Sequence, residues 1–206
     1  MHRTRNMNKN FRFDSLEHKY YLGDEEMPSL SKIIEPLNDF GNIHPDVLAA
    51  KAQAGSDIHE TIKFWLDGTL DEATLAEGNR IALDLFCEWY RNVSSFGVLL
   101  EYETPTYHEK LKYGTTPDLV FEEAIVEIKT RKPVLYRDSV QLVAQSKCFP
   151  EFPPKSLWVL SLDIVEKKNI FQKAEHKQSW SIFRKLLDKY KSDKEIETLI
   201  KAWKGQ

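Results

Sequence analysis

Residues 114 to 130 read GTTPDLVFEEAIVEIKT, and this stretch decides the fold. KYGTTPDLVFE has the apolar run of a buried strand, with Pro117-Asp118 opening its paired portion, and AIVEIKT reads as a second strand. Glu122-Glu123 marks a tight hairpin between them. Side chains two apart on a strand share a face, so Glu127 and Lys129 point together with Ile125, while Val126 and Ile128 face the other way into core. Antiparallel pairing then brings Asp118 alongside Glu127 and Lys129.

Working outward, FGVLLEYE (96–103) predicts another buried strand ahead of the hairpin, separated from it by a polar, turn-like segment from Tyr107 to Lys112. A helix is expected from about Arg137 to Phe149, stopped by PEFPP. KSLWVLSLD is a central-strand candidate, and a short strand falls around Asn169 to Gln172. Two amphipathic helices close the chain, one with Trp180, Phe183, Leu186, Leu187 and Tyr190 on its apolar face, the other with Ile196, Leu199, Ile200 and Trp203.

The first half is mainly helical. A hairpin over Phe11–Phe13 and His18–Leu22 precedes a short helix capped by Ser29 and cut off by Pro36, with a loop from Asn38 to His44. Pro45 starts a long helix that Gly68 ends, and a second helix runs from about Asp71 to Arg91. The order implies an α/β (α+β) fold with a central mixed sheet flanked by helices. We expect a flexible tail over residues 1–10 and a single domain over 11–206. Its parts are a hairpin and helical part (11–95), a sheet core (96–172) and C-terminal helices (173–206).

Composition bounds the function. With 41% hydrophobic and 30% charged residues, the 206-residue chain has the balance of an ordinary soluble protein. No apolar run spans a bilayer and no secretory leader opens the chain, so no membrane partner is expected and the compartment is read as cytoplasmic. Cys87 and Cys148 make neither a metal-ligand pair nor a disulfide framework. Phosphate-binding loops of the GxxxxGK[ST] and GxGxxG types are missing, which argues against a nucleotide cofactor. GxSxG and HExxH motifs are missing too. Basic residues gather at Lys129, Arg131, Lys132 and Arg137, with further groups at Lys167–Lys177 and Arg184–Lys204. Such clusters suit a phosphate-tracking surface and equally a solvated face.

Two carboxylates and an ammonium on a sheet face otherwise meant for burial cost on the order of several kcal/mol in desolvation. A divalent cation between the carboxylates would offset that cost, and hard oxygen ligands suit Mg2+ or Mn2+. Such an ion polarises a phosphate ester and acidifies a bound water, which a lysine can orient or deprotonate. His59 lies beside Ile58 and Ile62, one turn beyond Gly55, where a glycine inside a helix hints at a close approach. On its own a histidine there reads as a partly buried structural residue.

The P-D…E-x-K string and its GTxxDLV lead-in resemble the PD-(D/E)XK nuclease superfamily, specifically its RecB-like and phage-exonuclease branch. The resemblance covers Phe11 to Phe149, roughly two-thirds of the chain. It takes in the FDSLEHKYYLGDEEMPSLSKII opening, His59 in AKAQAGSDIHE, Glu103 in YETP (with Glu101 as the other register), and Gln141-Leu142 in SVQLVAQ.

It implies a restriction-endonuclease-like core with Asp118, Glu127, Lys129, Gln141 and Glu103 as catalytic groups. Metal ligands would be His59, Asp118, Glu127 and the backbone carbonyl of Ile128, a histidine ligand suiting manganese better than magnesium. Arg131, Arg137 and Lys132 are the implied DNA contacts. Gln145 stands where that branch usually has tyrosine, and the cysteines of its iron–sulfur members are missing, so no cluster is expected.

The implied activity is Mg2+- or Mn2+-dependent hydrolysis of DNA phosphodiester bonds. The enzyme would be an exonuclease or end-processing deoxyribonuclease of recombination, repair or phage and mobile-element replication, acting in the host cytoplasm if phage-encoded. Two alternatives stay open: a catalytically inactive nuclease fold that binds nucleic acid or protein, and a structure- or sequence-specific endonuclease.

Overall fold

A computed structural model describes residues 8–38, 43–133, 135–151, 153–174 and 177–204. Most of the expected N-terminal tail, residues 39–42 of the Asn38–His44 loop and Phe152 of the PEFPP stop lie outside the described residues. Along the chain come β1 (Phe11–Asp14), β2 (Lys19–Leu22), β3 (Glu25–Met27) and α1 (Leu30–Ile33), then α2 (Pro45–Asp67) and α3 (Glu77–Tyr90). Next are β4 (Leu99–Tyr102), β5 (Thr106–His108), β6 (Tyr113–Thr115), β7 (Leu119–Phe121) and β8 (Ala124–Lys129). The remainder is α4 (Leu135–Ser146), β9 (Ser156–Asp163), β10 (Lys168–Lys173) and α5 (Ser179–Lys204).

Five strands form the central sheet in the order β10-β9-β8-β7-β4. Pairing is antiparallel except between β8 and β9, which run parallel with α4 as their crossover, so the sheet is mixed. Both faces are covered. Leu119, Phe121, Val126, Ile128, Leu160 and Leu162 pack with Ile58 and Ile62 of α2 and with Ala82, Phe86 and Trp89 of α3. Val120, Ile125 and Val159 pack on the opposite face with Val140 and Ala144 of α4, Phe183 and Leu187 of α5, and Leu30 and Ile33 of α1. Interior strands buried on both sides carry continuous apolar runs, which is why AIV and LWVL show little alternation. Among the described residues no helix is long and apolar enough to cross a membrane.

Ser29 caps α1 by accepting the Lys32 N–H, and Gly68, at φ +69°, closes α2 in the left-handed conformation open to glycine. Several expected boundaries move. The stretch expected as one strand from Lys112 to Glu122 is two strands in different sheets: β6 pairs with β5, whereas β7 joins the central sheet. Pro117, which has no N–H to donate, lies in the break. Part of the turn-like Tyr107–Lys112 segment is β5, and the turn follows it. The strand expected from Phe96 starts at Leu99, after a 3-10 turn over Ser94–Phe96 and Gly97 at φ +76°.

The helix expected from Asp71 begins at Glu77, because the Asp71 side chain caps a separate 3-10 turn over Glu72–Thr74. β3 went unforeseen, two of its three residues being exposed glutamates. The two expected C-terminal helices are one continuous α5. No Pro or Gly interrupts it, and the Lys189–Asp193 and Lys194–Glu197 pairs bridge the supposed junction.

Candidate metal and phosphodiester site

The site forms where the β7–β8 ladder ends. Regular pairing runs as far as Leu119 opposite Val126. One residue further on, the Asp118 side chain takes over the ladder's role, its Oδ2 accepting the Ile128 N–H at 2.6 Å. The Asp118 carbonyl accepts the Glu103 N–H at 3.0 Å, which ties in the chain leaving β4. Glu103 itself sits at φ +45°, in the left-handed region that non-glycine residues rarely occupy. Backbone strain of this kind persists where the surroundings over-determine it, and here it aims a carboxylate at α2.

That carboxylate meets His59. His59 Nδ1 lies 2.8 Å from Glu103 Oε1 and 3.5 Å from Asp118 Oδ1. One ligand atom from each of His59, Glu103 and Asp118 falls within 4.8 Å of the others. Two ligands of one ion stand at most twice the metal–ligand distance apart, about 4–5 Å for bonds of about 2.0–2.6 Å. The trio therefore fits a single divalent cation.

Electrostatics agree with the geometry. Asp118 is 5% exposed, and burial, reinforced by the neighbouring Glu127, pushes its carboxyl well above the usual range. Burial works against a charged His59 ring, but the carboxylates of Asp118 and Glu103 outweigh it and push its pKa up to about 9. A cation in place of the imidazolium proton would meet the same negative field.

Glu127 is buried on the α4 face of β8, with different partners. Its Oε1 accepts from Lys129 Nζ at 2.6 Å and from Gln141 Nε2 at 2.5 Å, and its Oε2 accepts from Gln145 Nε2 at 2.9 Å. Burial pushes this carboxyl up, but the Lys129 ammonium and the Gln145 amide more than reverse it, so Glu127 stays below its usual range. Lys129 Nζ also reaches Gln141 Oε1 at 3.5 Å.

Asp118, Glu127, Lys129, Gln141, Glu103 and His59 thus converge at one end of the sheet. The tight donor trio contains Glu103 and leaves out Glu127, unlike the expected ligand set, and Ile128 meets Asp118 through its N–H. Glu101, the alternative register for Glu103, lies in β4 opposite Val120. Arg131 and Arg137 flank the end of β8, both against the buried Asp138, and Lys132 is exposed beside them.

Sequence reasoning missed the parts of Gln145 and Asp138. The i, i+3, i+7 spacing of Asp138, Gln141 and Gln145 on an otherwise apolar helix face was the available signal. Gly55 is less crowded than its position in the helix suggested: a Cβ there would meet only Thr130 Oγ1 at 3.6 Å, an ordinary contact.

No protein-family model matches the sequence, and no curated protein does. The solved structures similar to this chain include two of one protein. One is the alkaline exonuclease LHK-Exo of Laribacter hongkongensis, at TM-score 0.48 and 12% identity over 87% of this chain and 93% of that one. The other is LHK-Exo in complex with dAMP, at TM-score 0.46 and 13% identity over 87% and 95%. Likeness this distant carries no argument about chemistry, which rests on the site itself.

Proposed function

We propose that this chain is a metal-dependent nuclease that hydrolyses phosphodiester bonds in DNA, as an exonuclease or end-processing enzyme of recombination, repair or mobile-element replication. The observation that carries the reading is the convergence of His59, Glu103 and Asp118 donors within 4.8 Å, beside a lysine held at 2.6 Å by a second buried carboxylate. Added to it is the sequence resemblance to the PD-(D/E)XK nucleases through Asp118, Glu127 and Lys129.

A divalent ion held by the trio, Mg2+ or Mn2+ by its donor chemistry, would supply Lewis acidity toward a phosphate oxygen and acidify a bound water. The chain's own groups do the rest. His59, Glu103 and Asp118 bind and orient, and Asp118 is fixed by the Ile128 amide. Lys129, restrained by Glu127 and Gln141, directs its ammonium at water or at a phosphate oxygen. Glu127 holds that ammonium in place, and is itself held by two amides. Arg131, Arg137 and Lys132 contact the nucleic-acid backbone.

The test is direct. Purified protein with end-labelled linear DNA and Mg2+ or Mn2+ is expected to shorten the DNA, and Lys129→Ala to lose about 10²–10⁴-fold in rate. No cleavage with either metal, or full activity in the variant, refutes the reading.

A further inference from the structure

Asp138, on the first turn of α4, is 0% exposed and touches two arginines. Its Oδ1 lies 2.6 Å from Arg131 NH2 and 3.7 Å from Arg137 NH1, and its Oδ2 accepts from Arg131 NH1 at 3.3 Å. Each arginine is also fixed from another side. Arg131 NH1 donates to the Lys132 carbonyl at 2.8 Å, and the Arg131 carbonyl accepts from Ser161 Oγ. Arg137 Nε donates to Asn38 Oδ1 at 2.6 Å. Even so, the arginine side chains keep 37% and 20% of their surface open.

Two guanidiniums share one buried carboxylate, so positive charge exceeds negative within the cluster, and both guanidiniums stay partly open to solvent. Burial, followed by the like charge of Arg131, holds Arg137 below its ordinary pKa. A planar guanidinium fixed on one edge presents its remaining N–H groups in a set direction, which suits a phosphate. The cluster adjoins the proposed reaction centre. Arg131 follows Lys129 by two residues, and Asp138 shares its helix face with Gln141 and Gln145, which hold Glu127.

We infer that Asp138 is a positioning residue that presents Arg131 and Arg137 together to a second phosphate of the substrate, next to the scissile one, so that the site prefers oligonucleotides to isolated phosphodiesters. This deepens the nuclease reading and rests on it.

The test compares a labelled oligonucleotide with the p-nitrophenyl ester of thymidine 5′-monophosphate, which carries one phosphodiester, both with Mn2+. In Asp138→Asn the ratio of kcat/KM for oligonucleotide over ester is expected to fall on the order of tenfold, the value of one charge-assisted hydrogen bond, with the loss in KM. Arg137→Gln is expected to do the same, and stands in if Asp138→Asn does not fold. Equal losses on both substrates would mark Asp138 as merely structural and overturn the inference.

If wild type cleaves neither substrate, the nuclease reading fails, and the salt dependence of oligonucleotide binding decides alone. Arg137→Gln is expected to reduce the log–log slope by about 0.7–0.9, one phosphate contact. An unchanged slope overturns the phosphate role.

Discussion

Asp118 Oδ2 accepts the backbone N–H of Ile128 at 2.6 Å, so the carboxylate is clamped to the neighbouring strand while its other oxygen faces His59. The clamp satisfies one oxygen and the His59 imidazolium faces the other, but burial and the neighbouring Glu127 outweigh them and still hold the carboxyl above its usual range. Keeping a carboxylate ionised in such surroundings is costly.

Asp118→Asn is therefore expected to stabilise the metal-free protein by about 1–3 kcal/mol, since the amide keeps the bond to Ile128 and removes the charge. Mn2+ is expected to raise the melting temperature of the wild type, and the same change to abolish both that rise and cleavage. Melts in EDTA and in Mn2+ check this. A variant less stable than wild type in EDTA would mean that the protein alone satisfies the carboxylate.

Gln145 lends itself to a second experiment because its two ends differ. Nε2 donates to Glu127, whereas Oε1 is buried without a partner among the described residues. Gln145→Leu removes a charge-assisted bond and an orphaned acceptor together, and each is worth about 1–3 kcal/mol with opposite sign. Stability is expected to stay within about 1 kcal/mol while cleavage falls about 10-fold or more, as Glu127 loses one of its supports. Chemical denaturation beside a rate assay separates the two.

Two glycines are expected to respond in opposite directions to alanine. Gly55→Ala, inside α2 where the new Cβ makes one ordinary contact, is expected to gain about 0.5–1 kcal/mol. At Gly114, in β6, a Cβ would lie 2.1 Å from Cγ of Tyr20 in β2. Gly114→Ala is expected to cost about 1–3 kcal/mol or more, and to loosen the 2.9 Å contact of Tyr20 OH with Thr116 just ahead of the site. Equal melting temperatures for the two variants would contradict this packing.

His108 gives a pH dependence away from the reaction centre. Its Nδ1 accepts the Leu111 N–H, which needs an unprotonated nitrogen, and its ring lies against Tyr113 and Trp180. Burial first, then the positive charges of Arg184 and Lys110, lower its pKa below the ordinary value. The unfolded chain thus takes up the proton before the folded one. This residue's contribution is intact above the unfolded pKa of about 6.5, and it is lost as the pH falls from there through the lower folded value. Melts at pH 7.5 and 5.5 are expected to differ less in His108→Asn, which accepts the same bond without titrating. An NMR titration placing the ring at or above 6.5 would contradict the assignment.

Much of the frame was legible in the chain. Apolar runs marked the strands that became β7, β8 and β9, and a period of two put Glu127 and Lys129 on one face, because strand geometry follows from local pattern alone. The caps at Ser29 and Gly68 were equally local. Where β6 ended and β7 began was harder to see, since both halves are apolar and the choice of partner strand is not local. The single long α5 was hidden by a polar stretch that charge pairs carry across.

Residue types and their order along the chain were enough to nominate a divalent-ion site at Asp118, Glu127 and Lys129. Only the tertiary structure decided which groups meet. Glu103 joins His59 across 44 residues of sequence through a left-handed backbone turn, and Glu127 turns instead to Lys129, Gln141 and Gln145. Periodicity records the direction in which a side chain leaves its own element; the distance between two charges on different elements depends on how those elements pack, and no local pattern carries it.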